Sequence, residues 1–120
     1  MNTNENIVIK EKEILRFVIA AEVTDEEGQR LYQSCISCLD SSANANGLVL
    51  IDTSNADEFS LEARKLWIDC LNHPNIKKAA IFGGKIFVRT LVEDIVNSLG
   101  KDSVRAFKTE EEALNWLRAD

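Results

Sequence analysis

Four residues of this sequence have the types and spacing of a metal or redox centre: Cys35 and Cys38 in Cys-Ile-Ser-Cys, and Cys70 and His73 in Cys-Leu-Asn-His. A structural zinc takes four such ligands. A redox Cys-x-x-Cys pair places its first thiol at a helix N-terminus, where the dipole lowers its pKa. Cys35 and Cys38 instead fall about three turns into a helix that opens at Thr24. Cys35, Cys38 and Cys70 all lie on apolar stripes, so three buried small hydrophobes are expected and no metal. An odd number of cysteines at irregular spacing is not a disulfide framework.

A second group of candidates lies at helix starts. Ser60 precedes a helix, and a phosphate there would meet the positive helix end and its free N–H groups. The simpler role is an N-cap. Asp52, Asp57 and Glu58 cluster just before it, as carboxylates that could bind a partner or a cation, although loop carboxylates are usually just solvated. Gly83-Gly84-Lys85 leads into another helix, a position that can hold an anion, but it lacks the spacing of a P-loop and reads as a tight turn. Ile86 and Phe87 follow. Counting from Val88 at 100° per residue, Ile86 projects to the far side and Phe87 to the flank. Such surplus apolar residues mark a self-interface, a partner surface or the entrance for an apolar ligand. His73 is the only histidine. No nucleophile–base or acid–base pair accompanies it, so no enzyme and no cofactor are expected.

These residues need elements to hold them. Ile7-Val8-Ile9 and Ile14 to Ala20 read as a hairpin, with strands at about 6–10 and 14–20. Thr24 and Glu27 have capping-box spacing, and Leu31, Tyr32, Cys35, Cys38 and Leu39 form one helical stripe ending near Asp40. Ser41 to Gly47 reads as a return loop. Leu48 to Ile51 is an apolar run suited to a strand covered on both faces. A polar loop over 53–59 leads to the helix behind Ser60, with Ala63, Leu66, Trp67, Cys70 and Leu71 on its stripe and Pro74 at its stop. Ala79 to Phe82 is a further strand. A helix over about 85–98 follows, with Val88, Leu91, Val92, Ile95 and Leu99 inward and Gly100 as its stop. Val104 to Phe107 is the last strand. Thr109 and Glu112 open the last helix, anchored by Trp116 and Leu117.

The order is β-β-α-β-α-β-α-β-α. It implies an α/β domain with a mostly parallel five-stranded sheet, right-handed crossovers and one antiparallel edge strand. Residues 1–5 read as a disordered tail and 6–120 as one domain. At 120 residues the chain can bury a core without disulfide or metal staples. A net charge of −6 argues against a nucleic-acid binder, which needs clustered Lys and Arg. No apolar run has the length of a membrane span, and the N-terminus lacks the pattern of a signal peptide, so a cytoplasmic location is expected.

Three segments resemble the SpoIIAA-like or STAS-like family, the group of bacterial anti-sigma-factor antagonists and many small relatives. Leu48 to Asp52 (LVLID) resembles the central strand ending in Asp. Lys78 to Phe82 (KAAIF) resembles the next strand. Val104 to Leu117 (VRAFKTEEEALNWL) resembles the terminal strand, turn and Glu-Glu-Ala-x-x-Trp-Leu helix. The resemblance implies the strand order, and a non-enzymatic regulatory module that binds a protein partner or itself. It also implies a phosphorylated Ser at the start of the helix after the central strand, in a motif such as Asp-Ser-Ser-Gly. The matching stretch is Asp52 to Leu61 (DTSNADEFSL). Ser60 stands in that place, followed by Leu61-Glu62-Ala63 rather than Gly. Partner binding is therefore expected at the N-terminal ends of the second and third helices. The alternative is a carrier or sensor of a lipid-like apolar ligand, lined by the third helix.

Overall fold

The computed structural model describes residues 7–10, 14–40 and 47–119. The tail expected over 1–5, the break between the first two strands and the return loop over 41–46 lie outside them. In chain order the elements are β1 (Ile7–Lys10), β2 (Ile14–Val18), β3 (Glu22–Val23), α1 (Asp25–Asp40), β4 (Leu48–Asp52), β5 (Glu58–Phe59), α2 (Leu61–Leu71), β6 (Lys78–Phe82), α3 (Ile86–Leu99), β7 (Val104–Phe107) and α4 (Glu110–Arg118).

Five strands form one sheet in the order β1-β2-β4-β6-β7. β1 is antiparallel to β2, and the other neighbours are parallel. From β2 onward the order advances without reversal. Right-handed crossovers then place every connecting helix on the same face. The side chains obey this, because alternate residues of a strand point to opposite faces. Leu15, Phe17, Val49, Ile51, Ala79 and Ile81 pack with α1, α2 and α3. Ile14, Leu50, Ala80 and Phe82 pack against Ala113 and Leu117 of α4. The apolar run at Leu48 thus serves two cores, and for that reason it does not alternate.

α4 is closed at both ends. The Thr109 hydroxyl accepts the Glu112 N–H at 3.2 Å. The Lys78 ammonium donates to the carbonyls of Trp116 at 2.9 Å and Ala119 at 2.6 Å, and lies 5.2 Å from the Trp116 ring centre. A cation on the last carbonyls complements the negative helix end.

Two features depart from the sequence reading. β5 lies where only a polar loop was expected over 53–59, and it forms a separate parallel pair with β3, a strand not expected at 22–23. Each has two residues, too few to show a period. β2 also stops at Val18 rather than Ala20, although Ile19 remains buried and its N–H donates to the Asp52 carbonyl at 2.9 Å.

The larger correction concerns the cysteines. Cys35 and Cys70 are joined in a disulfide, with Cα atoms 6.7 Å apart, and Cys38 is free and buried. The reason lies in the stripes themselves. α1 and α2 turn their apolar faces to one another, so closely that a Cβ on Gly28 would sit 3.0 Å from Ala63. The burial that makes each cysteine read as a small hydrophobe also brings two of them together. His73, the remaining zinc candidate, clips the helix ends: Nε2–H donates to Asp40 Oδ1 at 2.8 Å, and Nδ1 accepts the Asn75 N–H at 3.0 Å.

Candidate partner surface at the C-terminal edge of the sheet

Parallel strands deliver the residues that follow them to one edge. β4 ends at Asp52 and β6 at Phe82, which are direct register partners. The segments after them, 53–60 and 83–85, therefore start side by side, and they are tied together. Thr53 is fully buried. Its N–H donates to the Phe82 carbonyl at 3.0 Å, and its hydroxyl reaches the carbonyls of Phe82 at 2.9 Å and Gly83 at 3.2 Å. Gly83 and Gly84 take φ of +83° and +93°, where a side chain is strained. A Cβ on Gly83 would also stand 2.5 Å from Ser54 Oγ. Farther out, the Lys85 ammonium pairs with Asp57 at 3.3 Å.

The expected site residues divide accordingly. The Asp52 carboxylate accepts the Ser54 N–H at 2.8 Å and shapes the turn. Asp57 and Lys85 bridge the two loops. Ser60 is the N-cap of α2, its hydroxyl accepting the Ala63 N–H at 3.0 Å. Glu58 lies on β5, facing an open groove of about 610 Å³ beside Ser60 that is also lined by Glu22, Asp25, Glu26 and Phe59. No base stands against the Ser60 hydroxyl among these contacts, and among the described residues no group of three or more His, Cys, Asp or Glu side chains could hold a metal.

Ile86 and Phe87 occupy the first two positions of α3 and are 82% and 55% exposed. Leu61, the first residue of α2, is 72% exposed and was not singled out from the sequence. The signal was present. Leu61 stands two residues before the buried Ala63, as Ile86 stands two before the buried Val88. Two residues are about 200° of helix, so both side chains point away from the core. These three are the exposed large hydrophobics of the described residues, and all sit at helix starts on one edge.

Other concavities lie among the described residues. A cleft of about 160 Å³ between α3 and β7 is lined by Arg89, Glu93, Phe107 and Lys108. An apolar cavity of about 30 Å³ lies between the sheet, α1 and α2, lined by Tyr32, Leu66, Trp67 and the two bonded cysteines. The buried Trp67 indole N–H has no hydrogen-bond partner among the described residues. This cavity is lined from α1 and α2, whereas α3 lines the cleft beside β7. No described helix is long and apolar enough to cross a membrane.

Solved structures share this architecture. A protein of the DUF3478 family with a SpoIIAA-like fold from Shewanella loihica PV-4 is 22% identical, with a TM-score of 0.68 over 93% of this chain and 91% of its own. The anti-sigma factor antagonist SpoIIAA in its unphosphorylated form is 9% identical, with a TM-score of 0.69 over 96% and 99%. An anti-sigma factor antagonist from Mycobacterium paratuberculosis is 13% identical, with a TM-score of 0.73 over 95% and 93%. No protein with a curated description matches in sequence. At these identities the structures establish the fold, and the sequence profile establishes kinship: it matches residues 14–118, nearly the whole chain, and places the protein in the SpoIIAA-like family.

Proposed function

We propose that this chain is a non-enzymatic regulatory module that binds a protein partner through the N-terminal ends of α2 and α3. The observation that carries the reading is the grouping of Leu61, Ile86 and Phe87 at one sheet edge. Singly exposed apolar residues are ordinary, whereas a group confined to one edge marks a contact surface. Asp57 and Lys85 give that surface a charged seam, and Glu58 and Ser60 lie along its border. The fold supports the same reading, since solved proteins that share it include anti-sigma factor antagonists.

A phosphate on Ser60 would gain from the α2 dipole. It would also add negative charge to a groove already lined by Glu22, Asp25, Glu26 and Glu58, and so would repel an acidic partner surface. The second reading is a carrier of an apolar ligand. What favours it is the unpartnered Trp67 N–H beside an apolar cavity. At about 30 Å³ that cavity holds no more than a water-sized molecule, so loading would require α1 and α2 to part.

The test compares matched baits from cells of the source organism: wild type, the triple variant Leu61→Ser/Ile86→Ser/Phe87→Ser, and a Glu111→Ala control on α4. Light scattering of each purified chain reports self-association. A protein or second copy held by wild type and control but lost by the triple variant supports the surface. Equal capture by all three contradicts it. A lipid mass in native mass spectra favours the carrier.

A further inference from the structure

We infer that the Cys35–Cys70 bond is a reversible redox clasp between α1 and α2, opened by an external dithiol and closed by a disulfide oxidant. Three observations carry this. First, the fold has extensive packing besides the bond. The sheet is covered on both faces, α1 and α2 already meet through Gly28, Ala63, Leu31 and Leu66, and a chain of this length needs no staple. Second, the two cysteines are unequally buried: Cys35 is 2% exposed, whereas Cys70, near the end of α2, is only partly buried, which makes Cys70 the side from which a reductant would approach. Third, the bond forms part of the wall of the apolar cavity, so opening it removes the one covalent restraint on separating the two helices above that space.

The chemistry balances as thiol–disulfide exchange. A thiolate of the incoming dithiol attacks Cys70 Sγ, and the bond to Cys35 breaks. Cys35 leaves as a thiolate and takes up a proton. The second thiol of the reductant then attacks the mixed disulfide, releasing Cys70 as a thiol and leaving the reductant as its own disulfide. Two electrons and two protons pass to the protein. Oxidised glutathione reverses the sequence and is reduced to two thiols.

The probes are dithiothreitol and oxidised glutathione acting on the native chain. After equilibration with oxidised glutathione and removal of small molecules, the denatured chain should titrate one thiol, Cys38, and a non-reducing peptide map should show Cys35 joined to Cys70. Dithiothreitol should raise the count to three while native circular dichroism persists. It should lower the thermal midpoint by on the order of 10 °C, the scale for opening a crosslink across 35 residues, and should speed amide exchange in α1 and α2. Cys35→Ser and Cys70→Ser should match the reduced wild type and ignore reductant, while Cys38→Ser should keep the full response. Three free thiols after oxidation overturn the clasp. So does a bond that yields only when the whole chain unfolds, which makes it a static staple. If the serine variants fail to fold, titration and exchange on wild type still decide.

Discussion

Thr53 joins the two loops of the candidate surface, and removing its hydroxyl tests how that edge is held. In Thr53→Val the shape is retained and one O–H donor is lost. That donor serves two carbonyls, Phe82 at 2.9 Å and Gly83 at 3.2 Å. Phe82 keeps the Thr53 N–H at 3.0 Å, so Gly83 alone loses a donor. A net hydrogen bond contributes about 1 kcal/mol, and an orphaned buried acceptor costs about 1–3 kcal/mol. The Gly83 carbonyl is only part-buried, which places its cost at the low end. The added methyl returns up to about 0.8 kcal/mol. The expected net loss is about 1 kcal/mol for Val, against about 2–3 kcal/mol for Ala, which forfeits the methyl as well. In urea, with a slope of about 1–3 kcal/mol/M, the Val midpoint should fall by roughly 0.5 M. Amide exchange should quicken at Gly83 and Gly84. A Val variant as stable as wild type, with unchanged exchange at the glycines, would refute the role given to the hydroxyl.

Gly83→Ala should cost about 1–2 kcal/mol in the same assay, from a φ of +83° and the approach to Ser54 Oγ. Adding Ser54→Ala should recover the steric part only. Trp67→Phe removes an unpartnered buried N–H along with some ring area, so its unfolding free energy should stay within about 1 kcal/mol of wild type. A larger loss would show that the indole nitrogen does have a partner. Thr109→Ala removes the α4 cap and should lower stability by about 1 kcal/mol.

Much of the fold was legible because burial writes periodicity into sequence. The Leu31–Cys35–Leu39 stripe, the Leu48 run and the Thr109 cap all stand where the residues implied. β3 and β5 were not legible. Two-residue strands carry no period, and they pair because α1 and α2 bring their approach segments together. The disulfide was missed for a related reason. Apolar stripes say that Cys35 and Cys70 face inward, but only the α1–α2 crossing says that they face each other. Ile86 betrayed its exposure by its angle from Val88. The same separation from the buried Ala63 marks Leu61, the residue that follows the Ser60 cap. Thr53 looked like the first residue of a loop. Its burial depends on β6, 29 residues away, and no local pattern encodes that.

The claim that the α2 and α3 starts form the partner surface is tested most directly by site-specific photo-crosslinking in cells of the source organism. A photo-reactive residue replaces Phe87 in one chain and Glu111 on α4 in another. The account predicts a discrete crosslinked protein, or a crosslinked second copy, from position 87, absent from position 111 and lost when Leu61→Ser and Ile86→Ser are added. Crosslinks of equal yield from both positions, or a discrete product from position 111 alone, would contradict it.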